Sequence, residues 1–147
     1  MATASVSPGV LAPTRVGAGV VGGLVGGLAF GVLMQIWNMI PMVAMLVGGE
    51  AVPVGWLVHL AISAFIGATF AVLFGRFATS IGRSTSIGVV YGFMWWILGA
   101  LILMPARLGM DVFVFNTMAW RSLLGHLVYG LLLGAVYALV APRLHHR

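Results

Sequence analysis

Two histidines occupy matching places in two copies of one apolar stretch. The first copy runs from His59 to Arg76 (HLAISAFIGATFAVLFGR) and the second from His126 to Arg143 (HLVYGLLLGAVYALVAPR). Laid over each other without a gap, they agree at the His-Leu pair, at Gly67-Ala68 with Gly134-Ala135, at Phe70 with Tyr137, at Ala71 with Ala138 and at Arg76 with Arg143. An imidazole can ligate haem iron, copper or zinc. Two imidazoles carried to one depth by a repeat make His59 and His126 candidates for a bis-histidine haem b site or a copper site. The competing role is hydrogen bonding to a backbone carbonyl or to Gln35 or Asn38, which would tie helices together. An ionisable residue inside an apolar run is a functional candidate by default. A repeat, however, copies a structural histidine as faithfully as a ligand, and the residues favour the structural role.

Other polar and soft side chains lie at a similar depth. Gln35 and Asn38 are three residues apart and, on a continuous helix, share a face. With the histidines they would form a polar cluster open to the outer side, or they would bond other helices at about 0.6 kcal/mol each. Nine methionines raise a copper reading, because thioethers suit Cu(I). Met34, Met39, Met42, Met45, Met104, Met110 and Met118 fall in the outer half, but no tight Met-x-x-Met array with a histidine exists. Methionine is also an ordinary gap-filling residue, and that role is preferred. Trp95 and Trp96 would line a quinone, pigment or lipid pocket, or pack against the glycines of the first span. Packing is again preferred.

No catalytic constellation is visible, so the expectation is a non-enzyme. Glu50 and Asp111 fall on connections, and no acidic residue lies within a span, which argues against a carboxylate-driven pump. Cysteine is absent, and the glycine-rich run follows no strand, so it is not a phosphate loop. No metal ligand set is assigned.

The elements that must position these residues follow from composition. Of the 147 residues, 62% are hydrophobic and 6% charged, against about 25% charged in soluble domains. Such a chain cannot coat a water-facing surface, so its main partner is the lipid bilayer. The net charge of +5 comes from arginine alone, at the ends of apolar runs, and nucleic acid is excluded as a partner.

Residues 1–15 read as a disordered tail. A signal peptide is the rival reading, but the following apolar run is too long for one. Four transmembrane helices are expected over about 16–40, 54–77, 87–104 and 122–141, within a domain of residues 16–142, and residues 143–147 form a C-terminal tail. Pro41 and Pro105 are expected to end the first and third helices. The connection 106–121 reads as an interfacial segment with Trp120 at headgroup level. Arg15, Arg76, Arg83, Arg143 and Arg147 share one side, against Arg107 and Arg121 on the other. The positive-inside rule then gives a multi-pass protein of the bacterial inner membrane, N-in and C-in.

Gly19, Gly23, Gly27 and Gly31 step by four along the first helix, with Gly22 and Gly26 in a second row. This ladder is a strip for close approach of another helix, from this chain or another subunit. The repeat extends to hairpins, helix–Pro–loop–helix twice. The fold class is therefore all-α: two parallel-repeat hairpins in one four-helix bundle, related by a pseudo-two-fold axis along the membrane normal.

Gly-Trp-Leu-Val-His-Leu at 55–60, Leu-Met-Pro at 103–105 and Ser-Leu-Leu-Gly-His-Leu-Val-Tyr-Gly at 122–130 carry a resemblance. Over residues 16–142 the chain resembles a family of small uncharacterised bacterial four-helix integral membrane proteins with two tandem hairpins. The resemblance implies the fold and lends no catalytic residues. The leading expectation is a non-catalytic accessory or assembly subunit, associating with itself or with other membrane subunits, in a respiratory or other redox complex. The alternatives are a haem- or copper-binding membrane protein using His59 and His126, and a small transporter or channel.

Overall fold

Four stretches are long and apolar enough to cross a bilayer: Pro13–Ile36, Val52–Phe74, Ile81–Arg107 and Thr117–Val140. Hydrocarbon offers backbone groups no partner, so each such stretch must close its own hydrogen bonds as a helix. The computed structural model describes the backbone of residues 8–141 and the side chains of residues 13–141. Over these residues the protein is a four-span helical bundle without strands. Its elements are α1 (Pro8–Ile36), α2 (Ile40–Met45), α3 (Val52–Phe74), α4 (Ile81–Trp95), a π-helical segment (Trp96–Leu103), α5 (Met104–Arg107) and α6 (Thr117–Val140).

Several boundaries differ from the sequence reading, each for a local reason. Residues 8–15, read as part of a tail, are helical; the expected tail at 143–147 lies outside the described residues. α1 stops at Ile36, short of Ile40, because Asn38 adopts φ 56°, a left-handed conformation that asparagine tolerates better than most residues. The chain turns there and restarts as α2. α4 begins at Ile81 rather than at 87, because the Ser80 hydroxyl oxygen accepts the Arg83 N–H at 3.2 Å and caps the helix. α6 begins at Thr117 rather than at 122, because Asn116 Oδ1 accepts the Ala119 N–H at 2.9 Å. Trp120 and Arg121, expected in a connection, are therefore the fourth and fifth residues of α6.

The third span does not stop at Pro105. The chain widens into π-helix over Trp96–Leu103 and continues through α5 to Arg107. Met104 still gives its N–H to the Gly99 carbonyl, five residues back, but Pro105 has none to give to that turn. The Leu101 carbonyl of the same turn accepts the N–H of Phe113, from the following loop, at 2.9 Å. Phe113 reaches this position with φ 55°. The loop thus supplies a donor to the turn in which Pro105 has none.

Glycine sets the packing. A methyl group on Gly19 would strike the Gly67 carbonyl, one on Gly23 the Ser63 carbonyl and one on Gly31 the Trp56 ring. The ladder of the first span is therefore covered by α3 of the same chain. The second row faces α6, where Gly22 meets Leu133 and Gly26 meets Tyr129. The second hairpin repeats the first contact: Gly88 lies under the Gly130 carbonyl as Gly23 lies under that of Ser63.

The repeat holds within each hairpin and fails between them. α1 packs closely on both α3 and α6, and α4 packs on α6, whereas α3 and α4 scarcely meet. Carried along the match of Gly23 with Gly88, the second row of α1, Gly22 and Gly26, corresponds to Ile87 and Tyr91 of α4. Side chains replace glycines there, so α4 stands away from α3. The gap is bridged towards one end, where Tyr91 Oη donates to the Ile66 carbonyl at 2.8 Å and lies 2.5 Å from Thr69 Oγ1. Phe70, Phe74, Tyr91 and Tyr137 pack ring to ring there, with Phe70–Tyr91 and Phe70–Tyr137 centroids at 5.3 and 5.4 Å. This aromatic plug closes the bundle towards the Arg76 end. Towards the Asp111 end the seam stays open.

Candidate functional site

The open seam leads to a cavity of about 230 Å³ inside the bundle. α1 contributes Phe30 and Met34, α3 contributes His59 and Ser63, α6 contributes Ser122, His126 and Tyr129, and Trp95, Gly99 and Ala100 close the far side. Ile62 of α3 and Leu103 of the π-helical segment line the space and are 40% and 57% exposed. They form the two lips of a side opening that faces the hydrocarbon layer. The π-helical segment packs on α6 and not appreciably on α2 or α3, which keeps the lips apart. A π-helical stretch frequently marks a functional site. A methyl on Gly99 would meet nothing within 4 Å, so the space reaches the helix surface there.

Both candidate histidines line this cavity. His59 is seven residues into α3 and His126 nine into α6, about 10 and 14 Å from the helix starts. Their hydrogen bonds differ. His59 Nε2 lies 2.8 Å from the Gly27 carbonyl oxygen and joins α3 to α1. His126 Nδ1 lies 2.7 Å from the Ser122 carbonyl of its own helix and 3.3 Å from Ser122 Oγ. A carbonyl oxygen only accepts, so the nitrogen facing it carries the proton. The competing role named from the sequence, a bond that ties helices together, is thus observed for His59, whereas His126 bonds within its own helix.

The Phe30 ring stands edge-on to both imidazoles, with centroids 5.3 Å from His59 and 4.8 Å from His126, and its far side rests on Gly125. A bis-histidine haem would need that ground. It would also have to use Nδ1 of His59, because Nε2 is committed to Gly27. The arrangement does not fit haem between the two rings.

Gln35 and Asn38 do not join the histidines. Gln35 is exposed and its Oε1 accepts the Trp56 indole N–H at 3.0 Å. Asn38 lies in the turn beyond α1, exposed, so the two do not share a helix face. Their expected cluster is replaced by one interhelical bond and one turn. The tryptophans also miss their expected partner. Trp95 lines the cavity, while the Trp96 indole donates to the Ala119 carbonyl at 2.9 Å and stacks on Trp120 at 5.9 Å. The glycine ladder they were expected to fill is occupied by α3.

The methionines converge more than their spacing suggested. A smaller hollow of about 80 Å³ adjoins the cavity towards the Asp111 end, and Met39, Met42 and Met104 line both spaces. Met34 is buried deeper, and Met110, in the loop after α5, and Met118, at the start of α6, line the smaller hollow and are exposed. Among the described residues no group of three His, Cys, Asp or Glu side chains is placed to hold a metal ion. The thioethers line a soft, deformable wall, the role methionine plays at adaptable binding surfaces. Comparison with protein-family models, with curated proteins and with solved structures finds no match for this chain.

Proposed function

We propose that this protein is a non-catalytic membrane protein that draws a lipid-soluble molecule out of the bilayer and holds it in the cavity between its two hairpins. The observation that supports this is the side opening between Ile62 and Leu103, which leads from the lipid-facing surface to His59 and His126. A dry cavity of about 150 Å³ holds a benzene ring, so about 230 Å³ accommodates a substituted ring or a length of chain. An acyl or isoprenoid tail would leave through the opening into lipid. The aromatic plug of Phe70, Phe74, Tyr91 and Tyr137 favours a holding role over a through-channel.

An accessory subunit of a larger membrane assembly, respiratory or otherwise, remains compatible with such a role. The glycine ladder no longer argues for it, since α3 covers that face. We place the Arg76 end in the cytoplasm of a bacterium, N-in and C-in, on the arginine distribution.

The test is extraction in a mild detergent followed by native mass spectrometry and lipid analysis of the released material. The expected result is a lipophilic molecule released from the wild type and lost from Gly99→Leu, which fills the cavity from an unobstructed position. Release of nothing beyond bulk phospholipid, equally from both proteins, would overturn the reading. Release with tightly associated subunits would instead favour the accessory role.

A further inference from the structure

Resting on the reading that the cavity holds a lipid-soluble molecule, we infer that this molecule carries a dihydroxylated head, of the quinol class, which donates one hydrogen bond to His59 Nδ1 and one to His126 Nε2. The argument is a count of donors and acceptors in the wall. The carbonyls of Gly27 and Ser122 fix the proton on His59 Nε2 and on His126 Nδ1. With no carboxylate within any span to pair with, each ring holds a single proton. The other nitrogen of each ring is then a lone-pair acceptor.

Those nitrogens are not sealed away. Among the described residues, the one fully enclosed side-chain polar atom lacking a partner is Tyr137 Oη, far from this site. His59 Nδ1 and His126 Nε2 therefore reach open space, and the space their residues line is the cavity.

Two of the wall donors, in contrast, are spent. Ser63 Oγ donates to the His59 carbonyl at 2.7 Å, and Tyr129 Oη donates to the Ser63 carbonyl at 2.7 Å. The Trp95 ring stands edge to the Tyr91 ring, centroids 6.3 Å apart, and its indole N–H stays available. Ser122 also keeps a proton to give, beside His126. A hydroxyl can accept from these donors and still give its own proton, whereas a ligand that can only accept leaves the two open ring nitrogens unpaired. Sites that match a hydroxyl reject the analogue lacking it far more strongly than apolar walls discriminate by shape, because the site's polar groups are then left unpaired. The rings of Phe30 and Trp95 supply flat apolar walls for an aromatic head.

The test is binding of three matched probes to the purified full-length protein under anaerobic conditions, read by quenching of tryptophan fluorescence. The probes are 2-decyl-1,4-hydroquinone, its quinone and its dimethyl ether. The hydroquinone is expected to bind at least about tenfold more tightly than the other two, the size of effect a single well-made hydrogen bond gives. In His126→Leu that preference should fall to what the remaining His59 acceptor supports, while the ether still binds. This substitution breaks no interhelical hydrogen bond and keeps an apolar side chain against Phe30; His59→Ala removes the link to Gly27 and is the secondary variant. Equal affinity for all three probes, or an unchanged preference in His126→Leu, would overturn the hydroxyl assignment and leave the lipophile-binding reading standing. Binding of none of the probes, by a protein that also releases no lipophile on extraction, would overturn both.

Discussion

Alanine at Gly23 separates close helix packing from helix propensity. A methyl group there would overlap the Ser63 carbonyl oxygen and sit 3.0 Å from Gly67 Cα and 3.1 Å from Tyr129 Oη. Two of those atoms are backbone and cannot rotate away, and the third belongs to a hydroxyl bonded to Ser63. α1 must therefore move off α3, at a cost of about 1–3 kcal/mol for an overpacked contact. Replacing glycine in a helix returns about 0.5–1 kcal/mol. The net expectation is a loss of about 1–2 kcal/mol. Gly17, in the same helix, has nothing within 4 Å of the added methyl, so Gly17→Ala keeps only the propensity gain. The two variants should differ by about 2 kcal/mol, or roughly thirtyfold in the folded-to-unfolded ratio. Reversible unfolding in mixed micelles of mild and denaturing detergent measures that gap. Equal stability of the two, or a more stable Gly23→Ala, would refute the claim that the ladder is buried against α3.

Asn38→Val should cost about 1–2 kcal/mol because a β-branched residue resists the left-handed conformation, while Asn38→Gly should be neutral in the same unfolding assay. Tyr129→Phe removes the bond to the Ser63 carbonyl and should cost about 0.6 kcal/mol, within the range of polar contacts in membrane bundles. Phe113→Pro deletes the N–H that serves the Leu101 carbonyl; amide exchange over residues 96–104 should accelerate, whereas Phe113→Gly, which keeps the N–H, should leave it unchanged. A cysteine at Thr79 should react with an impermeant thiol reagent only after the cells are opened, and one at Val47 in intact cells; the reverse pattern would invert the proposed topology.

The class of fold and the two hairpins were legible because both rest on composition and on a gap-free internal match. The ladder of Gly19, Gly23, Gly27 and Gly31 announced close packing, yet spacing carries no information on which helix fills it. The helix ends were misplaced where single side chains decide them, as at Ser80, Asn116 and Asn38. The equal register of His59 and His126 was visible, whereas their unequal bonding was not. It depends on whether a neighbouring carbonyl lies across the interface, as Gly27 does, or one turn back, as Ser122 does. The cavity was the least legible feature. It arises from the π-helical segment and from Ile87 and Tyr91 standing where the first hairpin has glycines. The first leaves no mark in hydropathy, and the second becomes visible only once the structural register of the two hairpins is known.

That mismatch between hairpins bears on why the two are joined in one polypeptide. A pair of identical hairpins associating as a symmetric dimer must present the same interface twice. If one side closed on small residues, the other would close as well; if one stood open, both would. Fusion releases this constraint, since each half can then mutate independently. The chain keeps the closed version in Gly22 and Gly26 and the open version in Ile87 and Tyr91, and a lone hairpin gene could encode only one of the two.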